Sequence, residues 1–448
     1  MKIFIPIIPL VKVISINKVL LNPIFIFLVF SSILSPLLSR IYHSSAIGLL
    51  TSSLIISIVF LGSIFSNRLP IKKFSKYCSF VIGLIFLILL HGLILSTILG
   101  YELHSSRLFL SSIIALLVFI AAYIFIIFFS KTTNNKMILI MNWFWVITIL
   151  LSATVFIRFS LYSPFNTFEG GSNSLIDSLS VFSEPSHFFI IFAPIYLYKV
   201  ITSKGYYCLL LIILGFGYAY LLASLTMNII VSSAILFEIF SLLFYGKFKK
   251  YQVFYKIIIV IVIVIVIGLL FIGINFLSIS SIYNQLVMTG LNSNNNSILT
   301  ILADWHEAYL NTIKTSGFGI GFQQLGFVGE RSFIKDIIYE TSGAFKWDIK
   351  LESFIIAPKL ISEFGFFSLL FFILYIITFI KNLWYVLKSC TLPSHKINHK
   401  SVLMACFILS FSINLFVRGT GYFTPSTFFL ICAGAYFYYP IKGHKLSK

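Results

Sequence analysis

Ile257 to Leu277 reads IIIVIVIVIVIGLLFIGINFL, a run without a single charged residue. A helix that spans the hydrocarbon core of a bilayer needs about 20 apolar residues. The β-branched content of the run would suit a strand in water. In lipid, only a helix satisfies every backbone N–H and C=O within one segment. The rest of the chain agrees with this stretch, being 59% hydrophobic and 10% charged with 50 Phe among 448 residues, which excludes a soluble globule.

Outward from this stretch, apolar runs predict spans beginning near Val19, Ser45, Phe80, Leu108, Met137, Val181, Tyr206, Leu225, Ile257, Leu360, Ser401 and Tyr422. The expected class is all-α, a polytopic integral membrane protein of about 12 transmembrane helices forming a single transmembrane domain over residues 1–448. Charge orients it. Seven short connections carry 22 of the 32 basic residues and no Asp or Glu, which assigns them to the cytoplasm together with both termini. The net charge of +19 is therefore a property of topology, scattered over one membrane face. Membrane lipids with anionic headgroups are the expected neighbours, and nucleic acid is not. Pro6 and Pro9 interrupt the apolar stretch after Lys2 and no small-x-small cleavage site follows, so the first span is expected to act as its own signal.

Polar chemistry gathers in two long loops expected on the outer face, the third over 158–180 and the fifth over 278–359. The fifth is far longer than a connection needs, and such loops are usually functional or disordered. Within it, the stretch 297–315 reads SILTILADWHEAYLNTIKT, with Ile298, Ile301, Leu302, Trp305, Tyr309, Leu310 and Ile313 at helical spacing. This predicts an amphipathic helix along the membrane surface, with Trp305 and Tyr309 at headgroup level and Asp304, Glu307, Asn311 and Lys314 on the opposite face. The following Gly317-Phe318-Gly319-Ile320-Gly321 reads as a hinge and helix terminator. The alternative is a backbone nest for a phosphate group.

Five of the six arginines, Arg40, Arg107, Arg158, Arg331 and Arg418, fall on the expected outer face, whereas the cytoplasmic loops use lysine. Arginine presents a planar fork of donors that matches phosphate and carboxylate oxygens. Arg40 and Arg107 read as helix-end anchors. Arg158, Arg331 and Arg418 stand beside other unusual polar residues and are candidate ligand-binding groups. Arg418-Gly419-Thr420-Gly421-Tyr422-Phe423 makes up the whole sixth outer connection.

Glu184 and His187, in VFSEPSHFFIIFAPIYLYKV from Val181 to Val200, share a helical face at the outer end of the sixth span. Helix capping explains Glu184. It does not explain His187 followed at once by Phe188 and Phe189, which points to binding or proton transfer. Asp304 and His306 face different sides of their helix, and no metal site is expected. Lys359 and Glu363 have the spacing of an intrahelical ion pair opening the tenth span. No Walker A motif is present.

With Arg158 opening the third loop, Phe182-Ser183-Glu184-Pro185-Ser186-His187 at its exit, Gly317 to Phe322 after the amphipathic helix, Glu363-Phe364-Gly365, and Arg418 to Phe423, the chain resembles the O-antigen and capsular oligosaccharide repeat-unit polymerases (Wzy-type) and the O-antigen ligases related to them. The resemblance covers most of the chain from Arg158 onward and rests on the order of short motifs. There is one departure. Members often carry an arginine shortly before the tryptophan of the fifth-loop helix, whereas Ser297 to Asp304 holds none, so Arg331, Lys314 or Lys335 would supply that charge.

The resemblance implies a polyprenyl-pyrophosphate-dependent glycosyltransferase in the bacterial cytoplasmic (inner) membrane, with no cofactor and no metal. It would join undecaprenyl-pyrophosphate-linked oligosaccharide repeat units into O-antigen or capsular polysaccharide, in company with a flippase and a chain-length regulator. Arg158, Arg331 and Arg418, with Tyr422, would hold the pyrophosphate. Glu184, His187 or His306 would activate the acceptor hydroxyl. The alternatives are an O-antigen ligase and a flippase for the same lipid-linked oligosaccharides.

Overall fold

The computed structural model of the protein describes residues 22–41, 47–55, 57, 71–160, 185–203, 205–221, 225–245, 296–342, 355–419 and 421–438. The span expected at Ile257 to Leu277, residues 161–180 of the third loop, Glu184, and residues 278–295 and 343–354 of the fifth lie outside them.

Among the described residues all regular structure is helical. Helix α1 runs from Pro23–Val29 through a π turn at Phe30–Leu34 into Ser35–Ile41. There follow α2 (Ile71–Thr97), α3 (Ser105–Lys131), α4 (Asn134–Ser160), α5 (Pro185–Thr202), α6 (Tyr206–Leu221) and α7 (Leu225–Tyr245). The later helices are α8 (Asn296–Lys314), α9 (Phe333–Ser342), α10 (Ile356–Phe364), α11 (Phe367–Cys390), α12 (His399–Phe416) and α13 (Pro425–Tyr438). Among the described residues, five stretches are long and apolar enough to cross a membrane: Phe74–Thr97, Ser105–Lys131, Asn134–Ile157, Phe367–Cys390 and His399–Phe416. Helices α1, α5, α6 and α7 contribute shorter apolar stretches. The molecule is a membrane protein whose described residues are all-helical in their regular structure.

Helix α12 is the hub. A helix that is apolar on all sides belongs in the middle of a bundle, and Val402 to Leu409 are buried without interruption. Helices α4, α5, α11 and α13 pack around it, α3 supports α13, and α2 lies against α3. Aromatic rings fill the seams. Phe407 stacks on Phe429 at 4.5 Å between centroids, and Phe27 joins Phe125 at 5.0 Å and Phe428 at 5.8 Å.

The first turn of α12 is tied by a closed set of polar contacts. The Asn398 side chain caps the helix at the Ser401 N–H (3.4 Å), and His399 Nδ1 meets the Tyr198 hydroxyl at 2.9 Å. Lys400 Nζ donates to the Ser130 carbonyl at 3.1 Å, and Ser401 Oγ meets the Tyr436 hydroxyl at 3.0 Å. Beside them Lys199 Nζ donates to Asn142 Oδ1 at 2.6 Å. Buried polar groups are costly unless bonded, and each of these has its partner.

Two boundaries differ from expectation. The tenth span does not open at Leu360. Gly365 takes φ +53° and ends α10, so the apolar helix α11 starts only at Phe367 and residues 356–364 form a separate short helix. The last helix starts at Pro425 rather than Tyr422, since proline suits a first helical turn, where its missing N–H costs nothing.

Candidate functional site

Helices α8, α9 and α10 and the loop between α8 and α9 fold into one module. Asp304, Glu307 and Asn311 are buried, while Trp305, Tyr309 and Ile313 face outward as a stripe. The polar face turns inward because it braces the rest of the module. Asp304 Oδ2 accepts the Ile355 N–H at 3.0 Å, ahead of α10. Glu307 accepts the Ser332 N–H at 3.2 Å and pairs with Lys335 at 2.7 Å, both side chains being 3% exposed. Asn311 Oδ1 accepts the Glu330 N–H at 2.7 Å. Leu299 and Ala303 of α8 complete this small core against Ile334 and Ile338 of α9.

Helix α8 ends as its sequence demands. Ser316 and Gly317 have positive φ, and the Gly317 N–H reaches back to the Thr312 carbonyl at 2.8 Å. The chain then runs beside the end of α10. The Ile320 N–H donates to the Ser362 carbonyl at 2.9 Å, the Gly321 N–H to the Glu363 carbonyl at 2.9 Å, and the Phe366 N–H to the Gly317 carbonyl at 2.8 Å. The Gly319 N–H is taken by Thr315 Oγ1 at 2.9 Å. The glycines are there for this close approach, as a Cβ on Gly365 would overlap the Gly317 carbonyl and one on Gly319 would lie 2.5 Å from the Glu363 carbonyl oxygen. With their N–H groups engaged, Gly319, Ile320 and Gly321 do not form an open phosphate nest, and the terminator reading holds.

The module docks on the α2–α3 turn. Gln324 Oε1 accepts the His104 N–H at 2.8 Å, His91 Nε2 meets the Phe318 carbonyl at 3.0 Å, and the Arg107 guanidinium lies 3.9 Å over the Phe327 ring. A cavity of about 210 Å³ at this seam is lined by Tyr101, Glu102, Lys314 and Thr315 with apolar neighbours.

On its other side the module meets the chain between α12 and α13. Phe322 stacks on Tyr422 at 5.6 Å and packs edge-on to Phe423 at 6.4 Å. Tyr422 covers Glu363, which is wholly buried. The carboxylate faces the Tyr422 hydroxyl and the backbone at Gln323 and Leu325. Neither carboxylate oxygen nor the hydroxyl completes a well-aligned hydrogen bond. Lys359, one turn earlier on α10, directs its ammonium at the Tyr422 ring, 4.9 Å from its centre, and makes no contact of ion-pair length with Glu363. The expected ion pair is thus replaced by a cation over an aromatic face. Burial pushes the Glu363 carboxyl above its ordinary range, and the nearby Lys359 charge only partly offsets this. Burial, and then the Glu363 carboxylate, raise the Tyr422 hydroxyl.

The candidate residues read from the sequence divide as follows. Arg418 follows α12 and is 8% exposed, and Asn414, one turn before it, is fully buried and bonded to Ser426. Tyr422 shares this connection but has its hydroxyl turned toward Glu363. Arg331 pairs with Asp336 at 2.9 Å. His306 Nδ1 meets Ser332 Oγ at 2.9 Å, so only Nε2 is left for another partner. His187 lies in the first turn of α5 in front of buried Phe188 and Phe189, and Arg158 in the last turn of α4. The structure therefore brings Tyr422 and the Arg418 connection to the module. Lys359 and Glu363, read as a structural pair, stand at the centre of this junction. Their clue in the sequence was Glu363-Phe364-Gly365, whose glycine ends the helix directly after the carboxylate. Among the described residues no group of three or more His, Cys, Asp and Glu side chains is arranged to hold a metal ion. No protein-family model, no curated protein and no solved structure matches this chain.

Proposed function

We propose that the protein is a polysaccharide polymerase of the outer face of the bacterial cytoplasmic membrane, joining undecaprenyl-pyrophosphate-linked repeat units. About twelve spans, cytoplasmic termini and outer-facing third and fifth loops complete this reading. The observation that carries it is the convergence of three motifs far apart in the chain. Gly317 to Phe322, Glu363 to Gly365, and the connection holding Arg418 and Tyr422 pack on one another at one end of α12.

In this reading the growing glycan leaves undecaprenyl pyrophosphate as its anomeric carbon bonds to a hydroxyl of the next lipid-linked unit. Arg158 and Arg418, with Arg331 as a further candidate, offset the charge that develops on the leaving pyrophosphate. Hydrogen bonds to such charged groups are worth roughly 1.5 to 3 kcal/mol each. Glu184 or His187 takes the acceptor proton, and His306 could do so only through Nε2. Surface and lipid-linked glycans from cells with and without the protein test the proposal. Loss of the protein should collapse a ladder of chain lengths to a single repeat. Full-length polymer stranded on its carrier would instead mark a ligase, and single units trapped inside the cell a flippase.

A further inference from the structure

The seam between the module and the α2–α3 turn is firmly tied, yet it encloses a cavity of about 210 Å³. The Gln324 side-chain amide bonds both the His104 N–H (2.8 Å) and the His104 carbonyl (3.3 Å), and the Tyr101 hydroxyl donates to the Lys314 carbonyl at 3.2 Å. These bonds join segments distant in sequence and fix the two walls of the cavity against each other. A site formed in advance spends little ordering energy when a ligand enters.

The lining is mixed. Tyr101, Ile320 and Val328 give it apolar surface, and Glu102 and Lys314 bring charge. The two charges are not equivalent. Lys314 is paired with Glu330 at 2.7 Å, whereas Glu102 is exposed and has no ion pair or hydrogen bond among the described residues. Its carboxylate is therefore the polar group that the cavity offers to an incoming molecule. An ionised carboxylate only accepts hydrogen bonds, so it calls for hydroxyl or N–H donors.

These walls discriminate by chemistry. A phosphate or a uronate would meet the Glu102 charge with the Lys314 charge already taken. An alkyl chain would strip water from Glu102 and return no hydrogen bond. A hard metal ion would find a single free carboxylate, far fewer oxygens than it needs. A neutral or amino sugar fits, because its hydroxyls donate in pairs to a carboxylate and its C–H face packs on apolar side chains. The cavity is smaller than the ~300–1,000 Å³ of pockets for drug-sized ligands, which limits it to about one sugar ring.

We propose that this cavity is a carbohydrate subsite that seats one neutral or amino sugar, with Glu102 accepting hydrogen bonds from its hydroxyls. The identity of the glycan rests on the polymerase reading, in which it is the oligosaccharide of a lipid-linked repeat unit. Ile320 links the subsite to the junction at α10, since it lines the cavity while its N–H is bonded to the Ser362 carbonyl, next to Glu363. The subsite holds the glycan away from the bond being formed, where binding energy positions the reacting end.

The test uses the full chain in nanodiscs and saturation-transfer NMR observed on the ligand, with glucose, galactose, N-acetylglucosamine, glucosamine and glucuronic acid as probes. At least one neutral or amino sugar should bind. Glu102→Ala should weaken that binding roughly 10- to 100-fold, as expected for a charge-assisted hydrogen bond. Val328→Phe, which fills the cavity and keeps Glu102, should abolish it, and Val328→Leu carries the same comparison if the larger side chain disturbs the seam. Failure of every sugar to bind the wild type overturns the proposal, as does binding that none of these substitutions changes. Surface glycans of cells separate this inference from the polymerase reading. A ladder that persists without the protein refutes the polymerase while sugar binding stands. A ladder that collapses without the protein, but is normal in variants that still bind sugar as wild type does, refutes the subsite alone.

Discussion

The two ends of α12 are built differently. At its start, His399, Lys400 and Ser401 each meet a partner on another helix, and Lys199 and Asn142 close the same layer. At its far end, Lys359 and Glu363 are as deeply placed, yet Lys359 rests on the Tyr422 ring and, among the described residues, the Glu363 oxygens and the Tyr422 hydroxyl face one another without a well-aligned hydrogen bond. Similar groups at similar depth are satisfied at one end and held open at the other. The closed end stabilises the bundle. The open end costs stability, which marks it as the candidate site.

The comparison breaks most severely if the glycine contact beneath the open end is removed. Gly365→Ala places a methyl group into the Gly317 carbonyl at a positive φ. The strain and steric overlap should cost several kcal/mol. Limited proteolysis should then cut the 317–366 region in a variant whose other helices stay protected. Next in size is the paired charge inside the module. Glu307→Ala leaves buried Lys335 without its partner, at a cost of about 3 to 5 kcal/mol. Glu307→Met combined with Lys335→Leu should recover most of that in thermal unfolding, because it removes both charges together.

Smaller effects separate the two ends by kind. Tyr436→Phe, at the closed end, removes one hydrogen bond to Ser401 and should cost about 1 kcal/mol, and on the proposed polymerase reading chain extension continues unchanged. At the open end, pH gives the finest distinction. Glu363 is raised in the folded protein by burial, so its neutral form favours folding. That contribution is complete below the ordinary carboxyl value of 4.5 and is lost as pH rises through the higher folded value. The unfolding temperature should therefore fall as pH climbs above this range, and Glu363→Gln should flatten the slope. An unchanged slope in Glu363→Gln would show that the carboxyl is not held neutral.

Hydropathy made the bundle legible. The stretches around Leu108, Met137 and Ser401 read as spans, and α3, α4 and α12 occupy them, because an uncharged run of that length has few other solutions. The polar face of α8 was legible as a face. Periodicity records which residues share a side, but not whether that side meets water or another part of the chain, and Asp304, Glu307 and Asn311 find their partners in segments that are distant in sequence. Lys359 and Glu363 were misread for a related reason. Their spacing fits an ion pair, and nothing local shows that the Tyr422 ring reaches the lysine from another connection. Arg418 and Tyr422 stood out because a short, glycine-bearing connection with an arginine is unusual between apolar runs. The loop from Gly317 to Gly321 was legible as a helix end, whereas its hydrogen bonds to Ser362 and Glu363 could be seen only once the module was folded.

The most direct test of the open end is to replace the protein in cells with Arg418→Ala and to run the surface and lipid-linked glycans on a gel beside wild type, with membrane levels of the variant checked in parallel. The account predicts a fully inserted variant that leaves single repeat units in place of a ladder. A normal ladder from fully inserted Arg418→Ala would contradict it.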